Sequence, residues 1–171
     1  MAEWLGVNER EHLQIATVMA RKGVDAQAVG GRLGLTLPTC PTTASVVAAT
    51  WIGVGPGVWL AISDAGGADW ARTLGEELSG LASVSEQSAG YAVLRLRGPG
   101  AAELLQKGAF IDLDPRVFAV GDAAVTVIAH IGVVLWKVDD APTFDVAVFR
   151  SLLGSFQDWI AAASVGAVAP T

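Results

Sequence analysis

The chain has 171 residues, of which 52% are hydrophobic and only 16% charged, with a formal net charge of -6. That length suits one domain with a single core, and the acidic balance lacks the basic footprint that nucleic-acid phosphates require. A charged share well under the ~25% of an average soluble domain leaves too little to clothe a free monomer, so composition favours a subunit that hides apolar surface against a protein partner.

Membrane spanning needs about 20 consecutive apolar residues, and the longest candidate, Ala123 to Trp136, is shorter and holds His130 at its middle. The first residues lack a basic segment leading into an apolar run, so no secretory signal is expected and the cytoplasm is the expected compartment. A single cysteine, Cys40 between Thr39 and Pro41, excludes an internal disulfide and any multi-cysteine metal site and reads as a loop residue.

Asn8 followed by Glu11 resembles a helix N-cap arrangement and predicts a helix from about Glu9 to Lys22, ended by Gly23. Asp25 can cap a second, short helix that stops near Gly34. Together these predict an N-terminal helical arm over residues 1–43, followed by a body over 44–164 and a flexible tail over 165–171. The body opens with extended runs at Ser45 to Trp51 and Val58 to Ser63, separated by the turn-rich Gly53-Val-Gly-Pro-Gly57, which reads as a hairpin. Asp69 opens a helix on which Trp70, Leu74, Leu78 and Leu81 form one stripe.

Tyr91 to Arg97 alternates, with Ala92, Leu94 and Leu96 on one face and Arg95 and Arg97 on the other, as in a half-buried strand. Gly98-Pro99-Gly100 turns the chain into a helix from about Ala101 to Lys107. Val125 to Val138 reads as two extended halves with a bend or bulge at Gly132. Phe144 to Phe149 is a further strand, and Ser151 is placed to cap a last helix whose Leu152, Phe156, Trp159, Ile160 and Ala163 share a side. Strand pairs and helices segregate rather than alternate, which predicts an α+β domain with helices on one side of a mainly antiparallel sheet.

The inventory for chemistry is thin. Gly98-Pro-Gly-Ala-Ala-Glu has Glu103 where a phosphate-cradling loop needs its third glycine. Convergent metal ligands are not visible with only His12 and His130. His12 reads as solvated, and His130, on the strand face of Thr126 and Ile128, as a core or interface histidine with a catalytic or flavin-facing role as the alternative. Asp112 and Asp114 before Pro115-Arg116 could do acid-base work but fit an ordinary turn with Arg116 as charge partner. Ser85 and Ser88 lack a nucleophile-elbow context. Trp70 and Trp159 read as core, Trp51, Trp59 and Trp136 as core or interface, and Trp4 as an exposed docking anchor. No catalytic residue and no metal site is assigned, and no cofactor-binding residue can be named.

An ordered series of pieces carries a resemblance: Val18-Met-Ala-Arg-Lys-Gly23, Trp51-Ile-Gly-Val-Gly-Pro-Gly-Val-Trp-Leu60, Ser85-Glu-Gln-Ser88, Val93-Leu-Arg-Leu-Arg-Gly-Pro99 and Leu104-Leu-Gln-Lys-Gly108. Ile111-Asp-Leu-Asp-Pro-Arg-Val-Phe118, His130-Ile-Gly-Val-Val-Leu135, Phe144-Asp145 and Arg150-Ser151 complete it. In this order and spacing the chain resembles the gamma subunit of heterotetrameric sarcosine oxidase, which is itself similar to the first part of folate-dependent aminomethyltransferases. The resemblance implies an aminomethyltransferase-like folate-binding-domain fold and an architectural, noncatalytic role beside alpha, beta and delta subunits. It implies that FAD, FMN, NAD, tetrahydrofolate and zinc belong to those other subunits, in a complex that demethylates sarcosine to glycine with formation of hydrogen peroxide and one-carbon transfer to tetrahydrofolate. The alternatives are a free-standing folate-binding module, the equivalent subunit of an oxidase for another N-methyl amine, and a transferase acting alone.

Overall fold

The computed structural model describes residues 4–46 and 49–165. In chain order it contains strands β1 (Gly6–Glu9) and β2 (Gln14–Ala20), helix α1 (Ala26–Leu33), strands β3 (Thr43–Val46), β4 (Ala49–Gly55) and β5 (Val58–Ser63), and helix α2 (Trp70–Glu77). Strands β6 (Ala82–Glu86) and β7 (Tyr91–Arg97) lead to helix α3 (Gly100–Gln106). Strands β8 (Ala123–Ile128), β9 (Ile131–Asp139) and β10 (Thr143–Phe149) follow, then a 3-10 turn (Arg150–Leu152) and helix α4 (Leu153–Ser164). The chain divides into two compact units, Met1–Arg10 with Gly90–Thr171, and Glu11–Ala89.

The unit holding both termini is built on an antiparallel sheet in the order β1-β7-β10-β9-β8. Alternation along the strands puts Leu94 and Leu96 of β7, Leu135 of β9 and Phe144, Val146 and Val148 of β10 on one face. Leu104 and Leu105 of α3 and Phe156 and Ile160 of α4 close over that face to make its core, and each such side chain contributes about 1.5–3 kcal/mol by leaving water.

The other unit has an antiparallel sheet in the order β3-β4-β5-β2-β6. Val29 of α1 and Leu74 and Leu78 of α2 pack with Ala16, Val18, Trp51, Trp59 and Ala61. Helix α1 forms where the sequence expects it: the Asp25 carboxylate accepts the Ala28 N–H at 2.8 Å, and Gly34 ends it in the left-handed region at φ 70°. The class is α+β, with two antiparallel sheets and four helices among the described residues.

Four expectations are corrected. The helix over Glu9 to Lys22 is absent, because Gln14–Ala20 pairs on both sides, with β5 and β6, and Gly6–Glu9 pairs with β7. Ile15, Thr17 and Val18 are β-branched and suit a pleated strand, so tertiary pairing overrides the cap-like Asn8 and Glu11. The helical arm over 1–43 falls with it: Gly6–Glu9 joins one sheet and Gln14–Ala20 the other, and the chain divides instead into two units. The expected tail lies, beyond Val165, outside the described residues, as do residues 47 and 48 of the first extended run.

The third correction concerns Gly132, which is neither bend nor bulge; it pairs with Val127, and the chain reverses two residues earlier at Ala129-His130. The fourth is Ser151, which lies in the 3-10 turn and does not cap α4; Leu152 precedes that helix without a side-chain cap.

Gly53 has a cause that a turn motif does not reveal. A Cβ there would run into the Cys40 carbonyl oxygen and crowd Pro38, so Gly53→Ala forces backbone apart where β4 meets the preceding loop. A cost of about 1–3 kcal/mol is expected, read as a lower midpoint in urea, and an unchanged midpoint would refute the close approach.

Candidate functional site

The residues singled out for chemistry do not converge. His12 is in the loop after β1 with its side chain 94% exposed. Cys40 is exposed, its Sγ 3.7 Å from Thr42 Oγ1. Ser85 is exposed on β6, and the Ser88 hydroxyl accepts the Ile15 N–H at 2.9 Å. The Ser88 hydroxyl and N–H in turn hold the Glu86 carboxyl below its usual range. Both serines belong to a different unit from His130.

His130 is no core histidine. It is exposed, and with Ala129 it forms the two-residue hairpin turn between β8 and β9 at φ 68° and 50°. Both residues sit in the left-handed region that such turns demand and that Asn-Gly adopts most easily. Ala129→Asn with His130→Gly is therefore expected to raise stability by about 1–2 kcal/mol; a melting temperature that fails to rise would contradict this.

Asp112 and Asp114 adopt the turn geometry. Asp112 Oδ1 accepts the Asp114 N–H at 2.9 Å, and Asp114 accepts from the Arg116 backbone N–H, Nε and Nη2. Those bonds hold the Asp114 carboxyl far below the usual carboxylate range, so it is no proton donor near neutrality. Trp4 is not an exposed anchor: it is half-buried on Gly100, where a Cβ would overlap the indole ring, and its carbonyl accepts the Gly100 N–H at 2.9 Å. Trp51, Trp59 and Trp136 are buried, and the first two lie in a core.

The strongest polar constellation escaped the sequence reading. Asp145 of β10 is fully buried, and its carboxylate takes Arg95 Nε on Oδ1 and Arg95 Nη2 on Oδ2, each at 2.6 Å, with Arg10 Nη1 on Oδ2 at 2.8 Å. Strand register creates the bidentate pair, since Asp145 lies opposite Arg95 on β7, and β1 ends beside β7 so that Arg10 reaches the same carboxylate. The signal was present as a lone aspartate in Phe-Asp-Val-Ala-Val and an arginine in an apolar strand. A carboxylate with three short charge-assisted bonds is a fixed anchor.

Among the described residues no three or more His, Cys, Asp or Glu side chains gather as a metal would require, and no helix is long and apolar enough to cross a membrane. A shallow groove of about 190 Å³ is lined by Tyr91, Val125, Gly132, Val134, Ala147 and Phe149, below the ~300 Å³ at which small-molecule sites begin. A larger one of about 450 Å³ lies by Arg21, Asp25, Pro38 and Trp59. There Asp25 already caps α1 and the Trp59 indole N–H donates to the Pro38 carbonyl at 2.8 Å. Asp25, Trp59 and the Pro38 carbonyl in that groove serve the fold.

The profile of the sarcosine oxidase gamma subunit family matches residues 19–166. The chain belongs to that family. This gamma-family chain is 36% identical over 115 residues to sarcosine oxidase subunit gamma of Corynebacterium sp. (strain P-1), and 34% identical over 116 residues to that of Arthrobacter sp. Each alignment covers 66% of the gamma-family chain and 54% of the relative, so the chain spans about half the length of the curated relatives it matches.

Among solved structures it is similar to a chain of heterotetrameric sarcosine oxidase from Corynebacterium sp. U-96, in complex with pyrrole 2-carboxylate. The TM-score is 0.85 at 27% identity, over 98% of this chain and 87% of that one. It also shares a fold with glycine cleavage system aminomethyltransferase T from Bartonella henselae, with a TM-score of 0.63 at 13% identity over 91% of this chain and 45% of that one. The expected family and fold likeness both hold.

Proposed function

We propose that this gamma-family chain is a noncatalytic, architectural subunit of a cytoplasmic, flavin-dependent sarcosine oxidase that also contains alpha, beta and delta subunits. The carrying observation is the family match over residues 19–166, joined to a fold likeness along nearly the whole chain. The complex removes the N-methyl group of sarcosine oxidatively to leave glycine, passes the electron pair to oxygen as hydrogen peroxide and the one-carbon unit to tetrahydrofolate. FAD, FMN, NAD, tetrahydrofolate and zinc belong to the other subunits. This chain supplies surface: Asp112 and Asp114 hold a local turn, Ser88 bonds the backbone of β2, and the buried Asp145 carboxylate is locked by guanidinium groups.

A noncatalytic role has a direct test. Cys40→Ser, His12→Ala, His130→Gly and Asp112→Asn, each in the assembled enzyme, are expected to leave sarcosine turnover within about twofold, because a noncatalytic chain supplies no group to the reaction. A loss of a hundredfold with assembly intact would give the chain a catalytic group. The same experiment with another N-methyl amine addresses the nearest alternative substrate. The aminomethyltransferase-like fold is the one observation for a free-standing folate-binding module, and titration calorimetry with tetrahydrofolate showing no saturable heat removes that reading.

A further inference from the structure

Four strands form the edges of the two sheets: β1 and β8 in one unit, β3 and β6 in the other. An edge leaves a row of backbone N–H and C=O groups unpaired, and proteins guard such rows with charge, polarity, proline or short length. Strand β1 is four residues long and carries Asn8 and Glu9, β3 is four residues long, and β6 carries two serines and Glu86. Strand β8, Ala-Ala-Val-Thr-Val-Ile, has none of these guards except one threonine. Its Val125 is 57% exposed.

Register shows which groups are open. A two-residue turn closes on a bonded pair, here Ile128 with Ile131, and bonded pairs then alternate through Thr126–Val133 and Ala124–Leu135. The bond from the Lys137 N–H to the Asp122 carbonyl, at 3.0 Å, continues this alternation. Ala123, Val125 and Val127 are therefore the unbonded pairs, whose N–H and C=O groups point away from β9. Ala109 bridges to Ile128 and fills the outer lane at that end, with Phe110 beside it 81% exposed. Around Val125 no strand of the described residues lies outside β8, whereas Ala123 at the start of the strand is buried.

We propose, resting on the reading of this chain as a subunit, that this free edge receives an extended apolar segment of another chain of the complex as an added β-strand. Backbone bonds to Val125 fix its register, and the Val125 side chain packs against its alternate side chains. Charge narrows its chemistry further: the Asp122 carboxylate, next to Ala123, accepts the Ala119 N–H at 2.8 Å and stands in no ion pair among the described residues. A lysine or arginine of the incoming segment complements it. A second copy fits poorly, since symmetric pairing centred on Val125 sets each Asp122 against the other copy's Ile128, where Ala109 already lies, and joins two chains of net charge -6.

Val125→Pro removes one outward N–H and no bond that β9 uses, which an edge strand tolerates. In cells co-expressing the other subunits, the recovery of Val125→Pro in the complex is expected to fall at least tenfold, while Val125→Thr stays near wild type. In the wild-type complex the Val125 amide is expected to exchange with deuterium at least a hundredfold more slowly than in the free chain, with Thr126 protected in both. The exchange comparison decides the matter if the proline variant fails to fold. Equal recovery of Val125→Pro together with unchanged exchange at Val125 overturns the edge proposal alone, and a wild-type chain that never joins the complex overturns the subunit reading beneath it. A free chain that sizes as a dimer until Val125→Pro is introduced overturns it in favour of a second copy.

Discussion

Asp145→Ala is expected to destabilise the chain by about 3–5 kcal/mol, the range for removing one partner of a buried ion pair. The carboxylate is fully buried and takes three donors from Arg10 and Arg95, whose side chains are 16% and 20% exposed. Truncation removes the carboxylate that both guanidinium groups bind and leaves a void in its place. Asp145→Asn keeps the shape and one acceptor oxygen, so its cost should be smaller, about 1.5–3 kcal/mol, as for losing charged hydrogen bonds. Thermal melting reads the difference, since ~1 kcal/mol moves the midpoint by about 2–4 °C at this size. A drop of only 1–2 °C for Asp145→Ala would show that the cluster carries little of the fold.

Phe156→Ala should cost a similar amount, about 3–5 kcal/mol, for a different reason. The ring is fully buried on α4, stacks with Trp159 at 5.6 Å between centroids, and fills the space between that helix and the sheet of the terminal unit. Losing it opens a cavity that a helix anchored elsewhere by Ile160 cannot close. Leu152 provides the internal contrast: it belongs by spacing to the same apolar stripe but is 37% exposed in the 3-10 turn. Leu152→Ala is expected to stay within about 1 kcal/mol of the parent, far from the cost of a core truncation. Equal losses from the two, measured by urea unfolding, would contradict this assignment of the core.

What the sequence made legible was local. Tyr91–Arg97 and Val58–Ser63 form as expected because alternation bounded by turn residues is contained in the segment itself, and α1 forms because Asp25 and Gly34 are both local signals. The segment Gln14–Ala20 misled because its apolar residues fit either period, and its strand character comes from β5 and β6, far along the chain. The hairpin turn misled in a similar way, since Ala129 and His130 carry no turn signature while Gly132 nearby does; only the pairing of Ile128 with Ile131 places the reversal.

The same locality explains the missed cluster. Arg10 and Asp145 are 135 residues apart, and Arg95 and Asp145 are 50 apart. Arg95 and Asp145 each look like a stray charge in an apolar strand, Arg10 is one charge between Glu9 and Glu11, and only the order β1-β7-β10 brings them together. The discontinuous unit, with its first strand taken from the start of the chain, was hidden for that reason too. Family membership was legible because it rests on the order of several short pieces along the chain and not on any one contact.

The most direct measurement is purification of the tagged chain from its own cell extract, with sizing and a visible spectrum taken on the same peak. The expected result is a yellow species of several chains that releases hydrogen peroxide when sarcosine is added. A colourless single chain, stable and indifferent to sarcosine, would contradict the subunit assignment.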